Sequence, residues 1–90
     1  MKMPEIKVAS NDIKFAMEVL EVATEYNRAR RLHAPMHSVH EGYAVLKEEV
    51  DELWDEIKRN DLHAARKEAV QVAAMALAFI REVTPARGTL

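Results

Sequence analysis

Six carboxylates crowd the eleven residues Lys47–Ile57, KEEVDELWDEI, and Glu68 follows Glu52 after fifteen intervening residues. Oxygen donors of this kind suit hard divalent cations, Mg²⁺ above all, which also take water and substrate phosphates as ligands. On a helix turning about 100° per residue, Glu49, Glu52 and Glu56 form one stripe beside an apolar face of Val39, Tyr43, Leu46, Val50, Leu53 and Ile57. Glu48, Asp51 and Asp55 point away from it. Like charges one turn apart repel by about 0.2–0.5 kcal/mol per pair, so the inner stripe needs a reason. Glu68 sharpens the question. It falls within the apolar face of Ala65, Ala69, Val72, Met75, Ala76 and Phe79, where an unpaired carboxylate is costly. A salt bridge to the arginines of Arg28–Arg31 is one resolution. The other, and the one we expect, is antiparallel packing that brings Glu49, Glu52 and Glu68 together around a divalent cation.

Other residues offer weaker chemistry. His33, His37 and His40 lie close in sequence; a zinc site is conceivable, but histidines in loops and caps are usually plain surface groups. His40 is a candidate contact for a nucleobase or phosphate. Trp54 and Tyr43 are candidates to stack on a base, although at these positions packing is the commoner role. Arg28, Arg30 and Arg31 would suit a phosphate, but the leading expectation is a solvated cationic helix end. No glycine-rich phosphate loop, nucleophile elbow or H-E-x-x-H motif occurs. The chain has no cysteine, which excludes disulfides and thiolate chemistry.

Helices must position these side chains. Strong helix formers dominate, and the three prolines (Pro4, Pro35 and Pro85) fall outside the helical segments. The first helix is expected from a cap at Asn11 or Asp12 to Leu32. Ser38 and Glu41 form a capping box that starts the second near Val39, running to about Arg59. Asp61 caps the third, which extends to about Val83 before Pro85. Residues 1–10 are expected to be an N-terminal extension, 11–84 the helical domain and 85–90 a flexible tail. The fold class is therefore all-α: three long helices in a bundle.

The chain has 90 residues and a formal net charge of −2, too small a domain to be robust alone and without the basic field of a nucleic-acid binder. The stretch Ala69–Ile80 is nearly uncharged but too short to span a bilayer, which takes about 20 residues. With no signal-peptide h-region either, a cytoplasmic protein without membrane or nucleic-acid partners is expected. The same stretch is apolar almost all round, so it needs cover on more than one side. A homodimer or homotetramer that completes the bundle would supply it; the alternative is that this helix is simply the central one of a monomeric bundle.

The order Glu48-Glu49-Val50-Asp51-Glu52, a gap, then Glu68-Ala69-Val70-Gln71 resembles the MazG-like nucleotide pyrophosphohydrolases of the all-α NTP pyrophosphatase superfamily. The likeness covers about His40 to Ile80, roughly half the chain. It implies hydrolysis of a nucleoside triphosphate between the α- and β-phosphates, giving a monophosphate and pyrophosphate, with Mg²⁺ (or Mn²⁺) as cofactor. Carried over, Glu49, Glu52, Glu68 and Gln71 are metal ligands, and Glu48 orients the attacking water or binds the metal through water. His40 and Trp54 are then substrate-binding candidates. Gln71 stands where the family has aspartate. An amide oxygen can ligate but adds no charge, so weaker metal affinity is expected. The competing expectation is a helical oligomerisation module of this fold with weak or lost catalysis.

Overall fold

A computed structural model of the chain describes residues 12–85. Asp12 accepts a hydrogen bond from the Phe15 amide and so caps α1, Ile13–Leu32; Asn11, the other expected cap, lies outside the described residues. Ser38 caps α2, Val39–Lys58, by accepting from the Glu41 amide at 3.1 Å. The return half of the capping box is displaced: the Glu41 carboxylate accepts from the His37 amide at 3.3 Å. Asn60 adopts φ 58°, the left-handed conformation that asparagine tolerates. The Asn60 amide then bonds Ile57 O and the Asp61 amide bonds Glu56 O, a Schellman closure of α2. Asp61 at once caps α3, Leu62–Val83. No strand occurs among the described residues.

This tight turn makes α2 and α3 an antiparallel hairpin. α1 packs on α3 as well, but α1 and α2 do not meet, so α3 is the central helix. Gly42 explains how closely the hairpin pairs, since a Cβ built there would lie 2.7 Å from the Phe79 ring. The core is small and built from small or flexible side chains: Ala29, Met36, Ala65, Ala74, Met75 and Ala78.

The expected core face of α2 needs correction. Val39, Tyr43, Val50 and Ile57 are 44–62% exposed. The residues turned toward α3 are Gly42, Val45, Leu46, Glu49, Leu53 and Glu56, all buried or half-buried. With glycine as the closest point of approach, α2 is rotated so that its inner acids, rather than the whole apolar stripe, enter the seam. The first half of α1 differs too. Ile13, Met17 and Leu20, which recur at helical spacing, are 63–67% exposed, because only the second half of α1 leans on α3. No described helix is long and apolar enough to cross a membrane.

Candidate metal centre

Glu49 and Glu52 come from adjacent turns of α2, and Glu68 comes from the second turn of α3 across the seam. Each offers one carboxylate oxygen to a group in which all lie within 4.8 Å of one another. Glu49 and Glu68 are half-buried and Glu52 is exposed, so the cluster opens to solvent on one side. Among the described residues no basic side chain pairs with any of the three. Arg28 is taken by Glu25 at 2.7 Å, Arg30 by Glu82 at 2.9 Å, and Arg59 by Glu56 at 3.3 Å. The salt-bridge resolution for Glu68 is therefore set aside. Outside the seam, Asp51 pairs with Lys47 and Asp55 with Lys58, as expected of a solvated outer set.

The electrostatics follow from this crowding. Glu49 is pushed up to about 7, first by burial, then by the charge of Glu52 and hydrogen bonding with it, and more weakly by the charges of Glu68 and Glu48. Glu68 is raised as well, first by burial and then by Glu52 and Glu56, with Lys67 pulling weakly the other way. One carboxylate oxygen on each of Glu49 and Glu68 is buried without a hydrogen-bond partner. Buried acceptors are normally satisfied. A hard cation bound by oxygen ligands would answer both the orphaned atoms and the repulsion, so these residues fit Mg²⁺.

Glu49 also belongs to a neighbouring cleft of about 480 Å³. Glu41, Val45 and Glu48 line it from α2, Arg30 from the end of α1, His33 and Met36 from the connection between them, and Met75 from α3. The lining thus combines acids of α2 with a cationic and apolar set from the other elements. Gln71 lines a different groove, of about 540 Å³ between α1 and α3, with Thr24, Glu25 and Lys67. His40 is exposed at the start of α2. Trp54 is 56% exposed, with the Lys58 ammonium 5.9 Å from its ring centre. Neither His40 nor Trp54 lines the cleft beside the acids. His37 is held by Glu41 at 3.3 Å.

Glu82 and Arg30 were not singled out by sequence reasoning as a pair. A signal did exist, since Glu82 lies fourteen residues after Glu68 and hence on the same face of α3. Compared with known proteins, the chain matches no family model, no curated protein and no solved structure, so nothing of that kind places it in the MazG-like family.

Proposed function

We propose that this protein is a divalent-metal-dependent nucleotide pyrophosphohydrolase of MazG-like type. The observation that carries the reading is the Glu49–Glu52–Glu68 cluster with its two buried, unpartnered carboxylate oxygens beside an open cleft. Glu49, Glu52 and Glu68 would hold Mg²⁺ or Mn²⁺; Gln71, the fourth candidate by resemblance, lines the groove between α1 and α3 and would have to turn toward the acids to join them. When bound, the ion neutralises phosphate charge and makes water easier to deprotonate. Glu48, exposed among the acids that line the cleft, is suited to orient the attacking water and accept its proton. Water attacks the α-phosphorus, the bond to the bridging oxygen of the β-phosphate breaks, and monophosphate and pyrophosphate leave. The apolar part of the cleft lining, Met36 and Met75, with His33 beside it, suits the nucleoside.

The reading includes self-association as a homodimer or homotetramer. It is supported by the two apolar stripes left uncovered in one subunit, Ile13–Met17–Leu20 on α1 and Val39–Tyr43–Val50–Trp54–Ile57 on α2. A second reading, a non-catalytic helical assembly module, draws on those same stripes and on Gln71. Pyrophosphate release across nucleoside triphosphates, with Mg²⁺ or Mn²⁺ and Glu49→Gln as the blank, separates the two. Turnover abolished by Glu49→Gln and raised by Gln71→Asp supports the hydrolase. Absence of pyrophosphate from every nucleotide, with wild type and Gln71→Asp alike, sinks it and leaves the assembly module.

A further inference from the structure

Glu82, near the end of α3, is a carboxylate that the hydrolytic reading does not use, and its side chain is only 11% exposed. Its Oε1 accepts from Arg30 Nη1 at 2.9 Å and from the Met36 backbone amide at 2.9 Å. The same Nη1 stands 2.9 Å from Oε2. One carboxylate therefore ties the last turn of α1, the connection between α1 and α2, and the end of α3. Arg30 is steadied further by the Tyr26 ring, 5.7 Å from its guanidinium carbon, and Tyr26 accepts a hydrogen bond from Arg81 at 3.2 Å. Both groups that Glu82 holds, Arg30 and Met36, line the cleft that Glu48 and Glu49 also line. Met36 is 6% exposed and belongs to the core, so a shift of its amide would carry the apolar part of that lining with it.

We propose that Glu82 is a positioning residue of the cleft: by gripping Arg30 and the Met36 amide it fixes the lining that α1 and the connection supply, and so sets substrate affinity rather than chemistry. This rests on the cleft receiving the nucleotide. The ion pair is spent within the lining, so Arg30 acts through its position and not as a free charge. A purely structural role predicts a lower melting temperature with Michaelis constants unchanged in the folded protein. Positioning predicts a split between the two kinetic constants.

The test compares wild type with Glu82→Ala, Arg30→Lys and Arg30→Leu, each confirmed folded by circular dichroism. Expected for Glu82→Ala and Arg30→Leu is a KM raised about tenfold with kcat within about twofold, and Mn²⁺ affinity of the acid cluster unchanged. Arg30→Lys, which can still pair with Glu82, should keep KM within about twofold of wild type. Amide hydrogen exchange at Met36 should quicken about tenfold or more in Glu82→Ala, which removes the acceptor. Arg30→Leu keeps the bond between Glu82 and Met36, so it remains informative if Glu82→Ala does not fold. An unchanged KM in the folded variants overturns the proposal, as does a fall in kcat alone. If wild type turns over no nucleotide, the hydrolase reading fails, and the positioning of substrate falls with it. Exchange at Met36 then still decides the clamp: rates equal to wild type in Glu82→Ala overturn that as well.

Discussion

At the scale of single residues, Glu49 is the informative group. An acid raised from 4.5 to about 7 holds its proton in the folded chain where the unfolded chain has lost it. Between those values the folded state binds more protons, so stability falls as pH rises through the window and levels off above it. Without metal, the melting temperature should therefore drop between about pH 4.5 and pH 7, and Glu49→Gln should flatten that slope. On the proposed metal role Mg²⁺ would bind the ionised cluster, so its stabilisation should grow over the same interval. A ligand at a hundred times its dissociation constant adds about 2.7 kcal/mol. Glu68→Ala should abolish that gain. Thermal melts at several pH values, with and without Mg²⁺, check all three. A melting temperature that rises steadily across the window would contradict the assignment of Glu49.

At the scale of elements, the seam between α2 and α3 depends on Gly42. Alanine there would meet the Phe79 ring, and overpacking of this kind costs about 1–3 kcal/mol. The gain in helix propensity offsets only about 1 kcal/mol of it. Gly42→Ala should thus lower the midpoint of urea unfolding and weaken Mg²⁺ binding, because separating the helices moves Glu68 away from Glu49 and Glu52. Unaltered metal affinity in this variant would mean that the cluster tolerates a looser seam. Helix limits were legible beforehand to within a residue, since Asp12, Ser38 and Asp61 cap by local hydrogen bonds that depend on near neighbours alone. The rotation of α2 was not, because apolar periodicity locates a stripe and not the part of it that meets a partner.

At the scale of the whole molecule, the chain leaves several large apolar side chains exposed, among them Ile13, Leu20, Tyr43 and Trp54. No large side chain is fully buried among the described residues. A homo-oligomer would bury the stripes of α1 and α2. Sedimentation at micromolar concentration should show a species well above 10.3 kDa, and a paired Tyr43→Lys, Val50→Lys change should shift it toward the monomer. Both positions are more than 40% exposed within one subunit, so the paired change should cost the isolated fold little. A 10.3 kDa wild-type species would end the oligomer reading.

The sequence by itself determined the all-α class and the three helices, which depend on local propensity and capping. It raised the meeting of Glu49, Glu52 and Glu68 as an expectation, because a three-residue turn makes a hairpin of α2 and α3, but helical period left the rotation of α2, and so the meeting itself, to the tertiary structure. Only the tertiary structure decided that Arg30 belongs to Glu82, that the acids rather than Val50 and Ile57 enter the seam, and that a cleft opens at Glu48 and Glu49. These depend on the rotation of α2 about its axis and the lean of α1, set by packing between residues far apart in the chain, at Gly42 against Phe79 and Ala29 against the end of α3.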